Sequence, residues 1–232
     1  MRIAAVADVH SPRFLDGFRA SIETIEAPDL FLLAGDMVDR GKAEEFAVVV
    51  DLITDVLGKD FPIVACFGNE EYTEIRDKIM AQVGDRVIIL DEQARVLKID
   101  GVRVGIVGTQ GSLDQPTSWQ RRNIPRIKRT FERRAQRAAF LLNEIAPQSD
   151  KRILLMHYSP CIETCEGENM RSFPWLGSRK FYSVVTKQKP DLVIHGHVHN
   201  SVNHEAMIGN TLVRNVAFPA VGSVTELDMW SN

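Results

Sequence analysis

The chain has 232 residues, 44% of them hydrophobic and 25% charged, with a formal net charge of −3. This balance suits a globular protein and excludes a whole-chain bias toward nucleic acid or anionic lipid, so any basic patch is local. No window approaches the roughly 18 apolar residues of a membrane span, and three cysteines, an odd number, argue against a disulfide framework.

The first run, MRIAAVADVH, reaches Asp8 before any apolar stretch of signal-peptide length and reads as a buried strand, so a cytoplasmic protein is expected. Apolar runs at 2–7, 30–34, 62–67, 102–107, 152–156 and 191–195 are continuous rather than alternating, the pattern of strands covered on both faces. The segments 13–26, 41–57, 71–83, 124–146 and 179–188 carry amphipathic spacing and are predicted as helices. Beyond residue 200, SVNHEAMIGNTLVRNVAF and VGSVTELDMW read as β-rich hairpin material turning at Gly209-Asn210. The alternation predicts one α/β domain over 1–232, a mixed sheet with helices packed on both sides.

Two stretches stand out within that plan. In the helix predicted over 124–146, Ile127, Phe131, Ala138, Leu142 and Ile145 face the core, and Arg126, Arg129, Arg133 and Arg137 form a stripe nearly opposite. The stripe is either a solvated face or a surface for a polyanion, nucleic acid or a partner subunit; no aromatic residues interleave with the arginines, which weakens single-strand binding. The connection 158–180 is long enough for a lid or wall, with Arg171, Phe173 and Trp175 either covering a substrate or packing the loop. Cys161 and Cys165, also within it, lack the second pair that a metal site of their spacing requires.

The strand ends carry the chemistry. Ligands of open α/β sheets bind beyond the carboxyl ends of strands, and here AAVA is followed by Asp8 and His10, FLLA by Gly35-Asp36, IVACF by Gly68-Asn69, ILLM by His157, and LVI by His195-Gly196-His197-Val198-His199. A turn or a helix cap explains any one of these; it does not explain five strands that all end in metal-ligand residue types. Gly35, Gly68 and Gly196 adjoin them, where sharp turns and close approach are needed. Imidazole together with carboxylate suits manganese, iron or zinc, whereas magnesium or calcium takes oxygen almost alone.

D-x-H at 8–10, G-D-x-x-D-R at 35–40, G-N at 68–69, His157 after a strand, and G-H-x-H at 196–199 resemble, in that order, the signature of the calcineurin-like metallophosphoesterases. The resemblance implies an α/β fold with a central mixed β-sandwich flanked by α-helices, more mixed than the pattern alone suggests. It also implies two divalent metal ions, manganese first with iron or zinc as alternatives. Asp8, His10, Asp36 and His199 resemble the ligands of one, and Asp36, Asn69, His157 and His197 those of the other, with Asp36 bridging. Two such ions, two aspartates and a bridging hydroxide leave about one positive charge to attract a small phosphate-ester substrate, and in-line attack by that hydroxide is the expected reaction.

Three further residues are candidate catalytic groups. Arg40, in GDMVDRG, resembles an arginine that contacts substrate phosphate; its other role is an ion pair that fixes the loop. Glu70 stands where many members carry histidine after G-N. A glutamate ionised at neutral pH is a poor proton donor, which favours phosphodiesters or esters with acidic leaving groups. His195 and His204 are either proton donors or groups that orient a ligand. A phosphodiesterase is therefore expected, and a phosphomonoesterase or protein phosphatase, a nuclease and a non-catalytic scaffold are the alternatives. Net charge does not indicate a nucleic-acid partner, and a homo-oligomer stays open.

Overall fold

Side chains alternate along a strand, and that alternation decides how this chain is layered. In the computed structural model, which describes residues 1–230, β1 (Arg2–Val6) and β2 (Leu30–Ala34) are buried on both faces. Ile3, Ala5, Leu30, Leu32 and Ala34 belong to one core, and Ala4, Val6, Phe31 and Leu33 to another. The strands are continuously buried as their apolar runs predict, but the second cover is a second sheet, so the pattern's single helix-coated sheet gives way to the mixed β-sandwich flanked by helices that the family resemblance implies.

The first sheet continues through β3 (Ile63–Cys66) and the short β4 (Ile88–Ile89). The second contains β5 (Gln93–Ile99), β6 (Val102–Thr109), β7 (Lys151–Met156), β8 (Leu192–His195), β9 (Glu205–Ile208) and β10 (Thr211–Asn215), and β11 (Thr225–Asp228) returns to the first. Strand order is β11-β1-β2-β3-β4 in one sheet and β5-β6-β7-β8-β10-β9 in the other. Both are mixed: β1 to β4 run parallel with β11 antiparallel at the edge, and β6, β7, β8 and β10 run parallel between antiparallel β5 and β9. The Gly209-Asn210 turn joins β9 to β10 as the sequence predicts. The C-terminal β material is nevertheless divided between the two sheets, because β11 pairs with β1.

Between the sheets lies an apolar layer in which Ile3, Leu30, Leu32 and Val64 meet Val104, Ile106, Ile153, Leu155 and Ile194. The helices cover the outer faces. α1 (Leu15–Ile22), α2 (Glu44–Leu57) and α3 (Arg76–Val83) present Phe18, Phe46, Val50, Ile53 and Ile79 to the first sheet. The short α4 (Ser118–Asn123) precedes α5 (Ile127–Ile145), which with α6 (Arg179–Gln188) covers the second sheet through Ala138, Leu142, Phe181 and Val185. The helix predicted over 124–146 starts at Ile127: Ile124, before Pro125, is extended, and Arg126 takes a left-handed conformation just ahead of the first turn. Among the described residues no helix is long and apolar enough to cross a membrane.

Leu32 is fully buried in the layer between the sheets. Leu32→Ala is expected to cost about 2–5 kcal/mol and to lower the thermal midpoint by several degrees; an unchanged midpoint in thermal unfolding contradicts this layering.

Candidate metal centre

Carboxyl ends of β1, β2, β3, β7 and β8 meet at one edge of the sandwich, and each delivers side chains into the same space. Asp8 and His10 follow β1, Asp36 follows β2, Asn69 follows β3, His157 follows β7, and His197 and His199 follow β8. Backbone bonds lash the ends together: Asp8 N–H donates to Gly35 O at 3.0 Å, His10 N–H to Asp36 O at 3.0 Å, and Gly196 N–H to His157 O at 3.1 Å. Five of these loop residues, Asp8, His10, Asp36, Arg40 and His197, hold positive φ without being glycine. Such conformations cost energy and collect at functional sites.

The side chains form two groups, Asp8 with His10 and His199, and Asp36 with His157 and His197; within each, the possible ligand atoms lie within 4.8 Å of one another. In the first, His199 Nε2 is 2.9 Å from Asp8 Oδ1, and His10 Nε2 is 3.6 Å from the same oxygen. Burial alone would raise the Asp8 carboxyl, but the imidazoles of His10 and His199 hold it well below the ordinary range. His10 Nε2 is buried and has no hydrogen-bond partner, which a buried nitrogen avoids unless something else engages it. In the second, His157 Nε2 lies 3.1 Å from Asn69 Oδ1 and 3.3 Å from Asp36 Oδ2. The residues fit a pair of cations: two carboxylates crowded by imidazoles, an orphaned nitrogen, and a mixed N/O donor set.

Surrounding bonds fix the rings. His157 Nδ1–H donates to Ala34 O at 3.0 Å, which leaves Nε2 for the cage. His197 Nε2–H donates to the Trp175 carbonyl at 3.1 Å. Tyr158 stands edge-on to His197 with ring centroids 4.7 Å apart. Burial lowers His157, yet the charge and hydrogen bonding of Asp36, with Asp8 beyond, raise it to about 10. His197, without such a partner, is pushed down to about 4 by burial and by His157.

Glu71 was not singled out by the sequence, which placed it at the start of a helix; the helix begins only at Arg76, after a 3-10 turn over Thr73–Ile75. Its carboxylate is fully buried. Oε2 accepts from Gly68 N–H at 2.7 Å and Asp36 N–H at 2.9 Å, and Oε1 from Met37 N–H at 2.7 Å and Val38 N–H at 3.2 Å. Burial, then repulsion by Asp36, pushes its pKa up to about 7 against those hydrogen bonds and the charge of His157. The only sequence signal was a second acid directly after G-N-E. Gly68 is required for the same contact, since a Cβ there would collide with the Asp36 carboxylate and backbone.

The candidate catalytic residues divide. Arg40 is exposed on the loop after Asp36, and Asp39 pairs with Lys42 at 3.3 Å instead of with Arg40. Glu70 Oε2 accepts from Arg40 N–H at 2.8 Å and from Tyr72 Oη at 3.4 Å, while Glu70 N–H donates to Asp36 Oδ1 at 2.7 Å. Of the two roles open to His195, the supporting one fits its surroundings: it is fully buried, with Nδ1 on the Gly196 carbonyl and Nε2 on Thr164 Oγ1, each at 2.9 Å. Both nitrogens are spent, and burial lowers the ring to about 4, so it supports the loop after β7 and has no nitrogen left for a substrate. His204 bonds the Ser201 carbonyl. In the 158–180 connection, Phe173 packs with Cys165, Leu176 and Val198, and Arg171 is exposed. Cys161 and Cys165 are buried in this connection, and Cys165 Sγ–H donates to the Cys161 carbonyl.

Residues 1–201 match the family model of the calcineurin-like phosphoesterases. Similar solved structures include phosphopantetheinyl hydrolase from Mycobacterium tuberculosis, 14% identical over 94% of this chain and 89% of that one, with a TM-score of 0.70. A purple acid phosphatase from yellow lupin is 14% identical over 100% of this chain and 46% of that one, TM-score 0.58. GAP50, described as the anchor in the inner membrane complex of Plasmodium, is 11% identical over 96% and 72%, TM-score 0.57. At these identities the likeness is one of fold. No curated protein matches the sequence.

Two outcomes follow from this geometry. Glutamine at position 71 offers one acceptor oxygen in place of two, so Glu71→Gln leaves N–H donors of the 36–38 and 68 loops without an acceptor. It is expected to lower stability by at least about 2 kcal/mol and metal affinity by about 10–100-fold, read by denaturant unfolding and by metal titration; wild-type values in both would refute the clamp. His157 holds a proton below about pH 10 in the absence of metal and must lose it to ligate, so metal loading at neutral pH releases protons and apparent affinity rises with pH. Calorimetry in buffers of different ionisation enthalpy measures that release, and a buffer-independent heat would contradict it.

Proposed function

The chain belongs to the calcineurin-like phosphoesterase family, and from that premise we propose a dinuclear-metal-dependent phosphoesterase that hydrolyses phosphate esters, phosphodiesters foremost. The observation that carries the reading is the pair of three-residue groups at one sandwich edge, Asp8, His10 and His199 beside Asp36, His157 and His197. Asp8, His10, Asp36 and His199 hold one ion, and Asp36, Asn69, His157 and His197 the other, with Asp36 shared. Manganese is the first choice and iron or zinc the alternatives, by the mixed donor set. When bound, the ions supply the positive charge that draws phosphate in and makes a water acidic. The cytoplasm is the compartment, where three free thiols persist.

The chain's own groups select the ester. Arg40, exposed on the loop after Asp36 and paired with no carboxylate among the described residues, binds the substrate phosphate through its fork of donors. Glu70 is committed to the Arg40 backbone and Tyr72, so it holds the loop and donates no proton to a leaving oxygen. Its negative charge beside the cage opposes a dianionic monoester more than a monoanionic diester. The name of the hydrolase neighbour agrees with ester cleavage. A scaffold is the second reading, favoured by Glu70 and in keeping with the description of one neighbour as an anchor.

Metal-loaded protein is expected to hydrolyse bis-p-nitrophenyl phosphate with a kcat/KM at least about tenfold above p-nitrophenyl phosphate, and Asp36→Asn to lose more than about 100-fold, beyond the effect of a supporting residue. Glu70→His is expected to raise the monoester rate. Equal or reversed preference overturns the diester assignment, and turnover no higher than that of Asp36→Asn on both substrates overturns catalysis in favour of the scaffold.

A further inference from the structure

Between Ser118 and Arg137 the chain carries seven arginines and one lysine against a single acid, Glu132, within a protein of net charge −3. Glu132 is itself engaged by Lys180 at 3.7 Å. Four of these cations, Arg121, Arg126, Lys128 and Arg129, gather at α4 and the first turn of α5 around a shallow cavity of about 380 Å³ with apolar Ile124 and Ile127, whereas Arg134 is buried against Glu92. None of those four cations pairs with a carboxylate among the described residues. Like charges gathered so closely repel one another, and a polyanion relieves that repulsion. The first turn of α5 holds no acid and has no capping side chain, so its dipole adds to the same field.

Two further observations indicate which polyanion. Trp119, on α4 with Arg121 and Arg122, is 58% exposed, so an aromatic face does accompany the arginines, contrary to the pattern within α5 alone. Arginine forks match phosphate oxygens, and an exposed indole stacks on an unpaired base. The patch also adjoins the metal centre: Gln120 Nε2–H donates to Tyr158 Oη at 3.4 Å, Ile127 packs with Tyr158, and Tyr158 lies against His197. We propose that this face binds single-stranded nucleic acid, with the arginines on successive phosphates and Trp119 on a base, and delivers one of its phosphodiesters to the metal centre. Hydrolysis consumes one water: its oxygen joins phosphorus, the P–O bond to the leaving sugar oxygen breaks, and a proton from the water ends on that oxygen. The cleavage half rests on the phosphodiesterase reading; the binding half does not.

Fluorescence anisotropy with labelled oligothymidylate, in EDTA and across a salt series, tests the binding half. The expected result is an affinity falling with salt at a log–log slope of about −3 for four phosphate contacts, weakened at least about tenfold in Arg121→Ala/Arg129→Ala and about tenfold in Trp119→Ala. The same variants are expected to keep the wild-type thermal midpoint and aryl-diester turnover. Absent or salt-independent binding, or affinity unchanged in the arginine variant, overturns the proposal. Equal competition by polyglutamate overturns it in favour of an acidic protein, and equal competition by duplex DNA removes the stacked base. Asp36→Asn is expected to bind the oligonucleotide normally. Wild type that turns over aryl diesters and binds the strand without cutting it overturns the delivery step alone, and failure on aryl diesters with binding intact locates the fault in the phosphodiesterase reading.

Discussion

Four backbone N–H groups from two loops converge on the Glu71 carboxylate, out of contact with water. Asp36 and Asn69 lie on those loops; the first is also tied to the loop after β1, where His10 N–H donates to Asp36 O and Ser11 N–H to Met37 O, and Glu71 joins it to the second. A buried carboxylate is costly unless its oxygens are fully bonded, and here each oxygen takes two donors. The geometry of the candidate centre depends on this arrangement. It places the Asp36 carboxylate beside Gly68 and within reach of Glu70 N–H and His157, and the left-handed backbone at Asp36 persists because the surrounding bonds determine it.

The same loops divide the work among adjacent acids. Glu71 holds the backbone from inside, and Glu70 holds the Arg40 N–H from the rim. The guanidinium of Arg40 is thereby left to face outward. Positive potential is distributed in a comparable way: the face of α4 and α5 is strongly cationic, while the rest of the chain carries the acids that bring the total to −3. A weakly acidic protein with one concentrated basic face attracts anions to a place rather than everywhere.

Much of this was legible in the sequence because strands and ligands leave local marks. Continuous apolar runs announced β1, β2, β3, β7 and β8, and each proposed ligand follows such a run within a few residues. What the runs do not encode is the identity of the covering layer, since a leucine buried under a sheet and one buried under a helix look alike in sequence. β5 escaped notice because QARVLKI is an edge strand with partly exposed residues on both faces, and β11 was assigned to hairpin material because its partner, β1, lies at the other end of the chain. Glu71 and His195 show what a linear pattern leaves out. Glu71 reads as the start of a helix, and His195 as either a proton donor or a group that orients a ligand. Only the surroundings, backbone donors for the first and Thr164 with the Gly196 carbonyl for the second, decide.

Each of the two groups at the centre draws on both sheets. Asp8 and His10 come from the first sheet and His199 from the second; Asp36 comes from the first, His157 and His197 from the second. An ion held by either group is therefore a rivet through the sandwich at its open edge, and its binding energy adds to the stability of the whole body. Without an ion, that edge would be held by the backbone bonds between the strand ends and the carboxylate–imidazole contacts across the seam.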